Sequence, residues 1–190
     1  MKRSGFRKLT YQEVIEKKKL ADEKKKLKLK TEKPKSKKKG KDGQLLMPYR
    51  IKKAKEELVE LSHTHVRRRD SIDEDKIGGY CFDCGEYAEG QQFQAGHFEA
   101  DSVGGALLRY HPLNMHGQAG GCNMKQSQER VKINYTLKMI DMYGREFVDF
   151  LRSLKKKSIK ADIIFYERMI ELYKAGDEVA IINYLHNLAK

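Results

Sequence analysis

Four short features fall within residues 81–123: Cys81-Phe82-Asp83-Cys84, Ala95-Gly96-His97, Asn114-Met115-His116 and Cys122-Asn123. Two thiols at the first spacing, in a chain with an odd total of three cysteines, favour a metal knuckle over a disulfide. Zinc is the expected ion there. A histidine on a strand can serve as general base on water, and an O or N donor in the first turn of the following helix can ligate a hard cation. His97 and Asn123 fit those two places in a ββα-metal nuclease site.

Such a site needs support, because a hairpin and one helix bury too little apolar surface to stand alone, and a bound zinc can contribute folding energy outright. Residues 78–121 are glycine-rich and short of helical periodicity, with Phe93, Phe98, Leu107, Leu108 and Tyr110 in brief runs, which reads as hairpin and loop. A helix is expected to begin near Pro48, with Ile51, Ala54, Leu58 and Leu61 on one face and Arg67, Arg68 and Arg69 at its end. Ser71-Ile72-Asp73-Glu74 has the form of a further capping signal. Val131, Tyr135, Leu137, Ile140 and Met142 lead to a stop at Gly144, and amphipathic helices follow over 159–173 and 179–188 around Gly176. Tyr135, Tyr143, Tyr166 and Tyr173 keep helical spacing and read as core or interface residues. His63 and His65 read as a solvated face, His111 as structural, and His186 has no evident partner.

The chain has 190 residues, 39% of them apolar, and a formal charge of +13. Residues 17–41 hold fourteen lysines against Asp22, Glu23 and Glu32, so this stretch carries +11 of that charge. With the capping box Thr10-Tyr11-Gln12-Glu13 before it and Pro34, Ser36 and Gly40 within it, it reads as a partly helical or disordered basic arm. Lys37, Lys38 and Lys39, together with Arg109 and Lys125, are the expected phosphate contacts, which bind without reading sequence. No run of eighteen apolar residues occurs and no apolar segment follows Met1-Lys2-Arg3, so a membrane span and a secretory signal are not expected, and a cytoplasmic protein is. The expected architecture is α+β, with an arm over 1–47, a nuclease core over 48–150 made of a small ββα-metal unit with its cysteine knuckle and flanking helices, and a helical cap over 151–190.

Taken in order, Cys81-Phe82-Asp83-Cys84-Gly85, Ala95-Gly96-His97-Phe98, Leu107-Leu108-Arg109-Tyr110, Asn114-Met115-His116-Gly117-Gln118, Cys122-Asn123 and Gly144-Arg145-Glu146 resemble the lambda NinG (Rap) recombination-endonuclease family over roughly residues 48–150. The resemblance implies an endonuclease acting on branched recombination intermediates such as Holliday junctions and D-loops. It also implies kinship with the HNH group and recombination endonuclease VII. By position, His97 would be the general base, Asn114 the residue that braces the loop and orients it, His116 an HNH histidine, and Asn123 a ligand of catalytic Mg²⁺. A phage or host recombinase and a second copy of the chain are the protein partners that such a reaction invites.

Two departures stand out. Ala119 occupies the place of an expected zinc-binding cysteine, so Cys81, Cys84 and Cys122 would need His116 or water as the fourth ligand, or the site persists on packing alone. Gly96 stands where many HNH sites carry an Asp or His ligand, with Gln94 further upstream, so the second ligand of the catalytic metal is not identified; Glu99 and Asp101 are near in sequence, and His97 could itself bind the metal. A non-catalytic zinc-knuckle DNA-binding protein and an HNH nuclease of linear duplex are the alternative readings.

Overall fold

A computed structural model describes residues 46–73, 75–99, 105–157 and 159–190. The basic arm, with Lys37, Lys38 and Lys39, lies outside the described residues, as does Asp101. Helix α1 spans Met47–Arg69, with Pro48 in its first turn and three arginines in its last. Its buried stripe is Ala54, Leu58, Ser62 and Val66, one residue every four, which runs down a single side of the helix. That side packs against a later helix, α6, Ile163–Ala175. The 71–74 signal is not a helix start: Ser71 Oγ donates to the Arg67 carbonyl at 2.7 Å and accepts from Gly78 N at 3.1 Å, closing the exit from α1.

Two antiparallel pairs follow. Strands β1 (Gly78–Tyr80) and β2 (Tyr87–Glu89) form a hairpin whose tip is the Cys81–Cys84 knuckle, with Gly79 opposite Ala88. Gly85 turns the chain back at φ +77°, a conformation suited to glycine. Strands β3 (Phe93–His97) and β4 (Met115–Ala119) pair so that Gly96 faces His116 and His97 faces Met115. The excursion between them contains the short helix α2, Gly105–Arg109. Directly after β4 comes the short helix α3, Gly120–Met124, then α4, Glu129–Tyr143, and α5, Arg145–Ser153.

The face that α4 buries is Val131, Tyr135 and Met139, whereas Leu137 and Met142 are exposed, so the apolar stripe expected from sequence is rotated. Helix α6 starts four residues later than its periodicity indicated, at an N-cap where Asp162 Oδ1 accepts from Phe165 N at 3.0 Å. Helix α7, Glu178–Leu188, is capped in the same way by Asp177. The largest core joins Leu58 of α1, Phe98, Leu107, Leu108 and Tyr110 of the β3–β4 excursion, Tyr135 and Met139, and the α5–α7 helices. It crosses residue 150 without a break, because the C-terminal helices are what cover α1. Each fully buried Leu or Phe in it contributes about 1.5–3 kcal/mol. A smaller cluster of Val66, Ala95 and Met115 fixes α1 to one face of the β3–β4 pair. Among the described residues no helix is long and apolar enough to cross a membrane.

Candidate metal and nucleic-acid site

Period-two alternation divides β3 into two faces. Phe93, Ala95 and His97 share the side on which α1 lies, since Val66 packs on Ala95 and the His63 and His97 rings meet edge to face at 5.8 Å. Gln94 and Gly96 share the other side, under α3. A Cβ on Gly96 would overlap Gln118 Oε1 and lie 3.0 Å from Asn123 Oδ1, so glycine is what lets the first turn of α3 settle onto the strand. The ligand that sequence comparison sought at position 96 has no room there.

Gln94, two residues upstream on the same face, meets Asn123 instead. Asn123 Nδ2 donates to Gln94 Oε1 at 2.9 Å. Gln94 Nε2 donates to the Gln91 carbonyl at 3.3 Å, which turns its oxygen toward α3. These residues line a cleft of about 250 Å³ with His63, Arg67, Gln91, Phe93 and Ala95, at the edge of β3 that β4 leaves unpaired. No carboxylate lines it. Glu99 is turned away: its side chain is 4% exposed and paired with Arg152 at 3.1 Å and with Lys155.

His97, half-buried at the end of β3, contacts the Arg109 carbonyl through Nε2 at 3.1 Å. A carbonyl only accepts, so Nε2 carries the proton and Nδ1 is the basic nitrogen. Arg109 therefore meets the site through its main chain, while its guanidinium lies 5.6 Å from the Tyr110 ring centre. The residue just before Arg109 is braced by Asn114, which is fully buried. Asn114 Oδ1 accepts from Glu99 N at 3.0 Å, and Nδ2 donates to the carbonyls of Glu99 at 3.2 Å and Leu108 at 3.0 Å. One side chain thus ties both ends of the excursion that leaves His97 and returns at β4.

His116 is neither at the cleft nor at the cysteines. It is stacked on Phe82 at 4.1 Å, with Nδ1 3.1 Å from Tyr135 Oη and Nε2 2.9 Å from Tyr143 Oη. Burial, with Arg69 nearby, lowers its pKa to about 4, so it is neutral at pH 7. Tyr135 in turn donates to the Gly96 carbonyl at 3.0 Å. Tyr143, His116 and Tyr135 form a buried relay that pins the peptide just before His97, and the catalytic or zinc-binding place considered for His116 is taken up by this role. His65 and His186, too, have partners: Glu178 Oε2 at 3.0 Å and His111 Nε2 at 3.1 Å.

The ligand atoms of Cys81, Cys84 and Cys122 lie within 4.8 Å of one another. Tetrahedral zinc thiolates sit about 3.8 Å apart, so a small closure would seat an ion. Burial raises the Cys81 thiol, but backbone N–H groups of Cys84, Ala119 and Asp83 outweigh it and bring the net pKa below the usual range. Cys122 is pushed up by burial and by the Cys84 and Cys81 sulfurs. Three adjacent thiolates repel one another, and a cation is what would let all three ionise. The donor set fits a thiophilic ion such as zinc at three positions. Toward the fourth, Ala119 opens onto a cleft of about 580 Å³ also lined by Asp83, Glu86, Lys125 and Arg130.

Sequence reasoning missed Gln94 as Asn123's partner, and it missed His63 and Arg67. The available signal was their i, i+4 spacing, which puts both on one side of α1. Comparison with curated proteins and with solved structures gave no match. The sequence profile described as Bacteriophage Lambda NinG protein matches residues 4–179, nearly the whole chain. The chain belongs to the NinG family.

Proposed function

We propose that this protein is a metal-dependent endonuclease of the HNH, endonuclease VII-like type that hydrolyses DNA phosphodiester bonds in branched recombination intermediates such as Holliday junctions and D-loops. Membership of the NinG family supports the setting, and the observation that carries the chemistry is the His97–Arg109 contact at 3.1 Å on the strand whose other face bears the Gln94–Asn123 pair. Strand β3, strand β4 and helix α3 follow in the order of a ββα-metal unit.

In this reading His97 Nδ1 removes a proton from the attacking water while Nε2–H stays on the Arg109 carbonyl, whose partial negative charge stabilises the imidazolium that forms. Asn114 braces the adjacent Leu108 carbonyl. The amide oxygens of Gln94 and Asn123 would hold a hard cation such as Mg²⁺, an ion that takes few protein ligands and leaves the remainder to water and substrate phosphate. Once bound, it would neutralise charge on the phosphate and on the leaving oxygen. Because both amides are neutral, DNA must supply the negative charge that retains it. Zinc at Cys81, Cys84 and Cys122 would join the β1–β2 knuckle to the first turn of α3, one residue before Asn123, and so act as a staple for that ligand.

Lys125 and the basic arm, including Lys37, Lys38 and Lys39, would supply salt-sensitive phosphate contacts along the duplex arms. The test of substrate class is cleavage of a synthetic four-way junction beside cleavage of its linear arms. Faster cutting of the junction is expected. Equal rates would remove the junction reading and leave a nuclease of linear duplex.

A further inference from the structure

The cleft at β3 has a wall from outside the strand–strand–helix unit. Arg67 reaches it from the last turn of α1, with His63 one turn earlier on the same side. Arg67 Nη2 donates to the Gly90 carbonyl at 2.5 Å, which holds the guanidinium over the start of β3. Its Nε is buried and has no hydrogen-bond partner. An orphaned buried donor is unfavourable unless something accepts from it. The other polar groups of the cleft are neutral amides and an imidazole, with no carboxylate to answer the charge. What the cleft lacks is an anion.

We propose that Arg67 grips the scissile phosphodiester of DNA, using Nε–H and the remaining guanidinium donors on the phosphate oxygens opposite Gln94 and Asn123. The proposal rests on the nuclease reading for its substrate and extends it to a residue of α1. A planar guanidinium suits phosphate through two parallel hydrogen bonds, and charge accumulating on the phosphate during attack strengthens them. Arg67 is therefore a residue of the transition state more than of overall affinity, since many exposed lysines contribute to the latter.

The experiment pairs kinetics with a resonance. Arg67→Lys keeps the charge and the aliphatic stem but removes Nε–H and the fork. Its single-turnover cleavage in Mg²⁺ is expected to fall about 100-fold, with DNA affinity measured in Ca²⁺ changed less than about threefold. In the wild type, the Arg67 Nε–H signal in a ¹H–¹⁵N spectrum, assigned by its loss in R67K, is expected to move downfield on adding a short duplex in Ca²⁺. A melting temperature of R67K within a few degrees of wild type establishes that the fold is intact, and Arg67→Gln provides a second variant on the same readouts. A signal unmoved by DNA, or R67K cleaving at the wild-type rate, overturns the proposal. If the wild type cleaves no DNA, the nuclease reading falls, and the resonance alone then decides whether Arg67 meets a phosphate.

Discussion

Gln94 and Asn123 meet at 2.9 Å, strand to helix, over the glycine at position 96. The contact joins the two side-chain amides proposed to hold the cation, and their lack of charge sets the first expectation. The DNA-free protein should bind Mn²⁺, as a stand-in for Mg²⁺, only weakly. Gln94→Asp adds a charged ligand and should tighten Mn²⁺ binding about tenfold or more, while Asn123→Ala should weaken it. Electron paramagnetic resonance of free Mn²⁺ measures both. Unchanged affinity in the two variants would take this pair out of metal binding.

The cysteine cluster makes a separate claim. Ala119 lines the same cleft as Cys84 and Cys122. Ala119→Cys should complete a four-thiolate site and raise zinc affinity at least about tenfold in competition with a chromogenic chelator, with one zinc per chain. Cys122→Ser should release zinc and lower the melting temperature, because it cuts the link between the knuckle and α3. A wild-type protein purified without zinc, and unaffected by its addition, would leave packing as the support of the hairpin.

How much of this was readable beforehand follows from what each residue needs. The cysteine cluster was legible through local spacing, and the helices through apolar periodicity. The Gln94–Asn123 contact was not, because Gln94 acquires meaning only when α3 closes over β3 and Gly96 removes the obstacle between them. His63 looked like a solvated residue since its own helix is polar around it, and the neighbour that changes its reading, His97, is thirty-four residues away in the chain. His116 misled for the opposite reason: it lies within a motif, yet Tyr135 and Tyr143 from α4 occupy both its nitrogens.

Acid should unfold the protein through two buried histidines. Burial, then His186, holds His111 down to about 3, and burial, then Arg69, holds His116 down to about 4. Both folded pKa values lie below the unfolded value of about 6.5, so below that pH the unfolded chain takes up protons that the folded chain refuses. Their contribution to stability is present above pH 6.5 and is lost as the pH falls toward 4, at up to about 1.4 kcal/mol per pH unit for each histidine. Urea midpoints between pH 7.5 and 4.5 measure it. A flat profile across that window would show that neither histidine is held neutral.

The relay from Tyr143 through His116 and Tyr135 to the Gly96 carbonyl should matter both to folding and to the site. Tyr135→Phe leaves His116 Nδ1 and the Gly96 carbonyl each short of a partner and should destabilise by about 1–3 kcal/mol. Tyr143→Phe, nearer the surface, should have the smaller effect. Denaturation of the two variants orders them. The reverse order would show that the buried hydroxyl is not what fixes the peptide before His97.

The most direct test of the central claim is single-turnover cleavage of a four-way junction in Mg²⁺ by the wild type and by His97→Ala, with junction binding measured for both in Ca²⁺. Cleavage by the wild type is expected, with a loss of about 10²–10⁴-fold in His97→Ala and binding unchanged. Equal cleavage by the two proteins, or none by either with tight binding retained, would contradict a nuclease centred on His97.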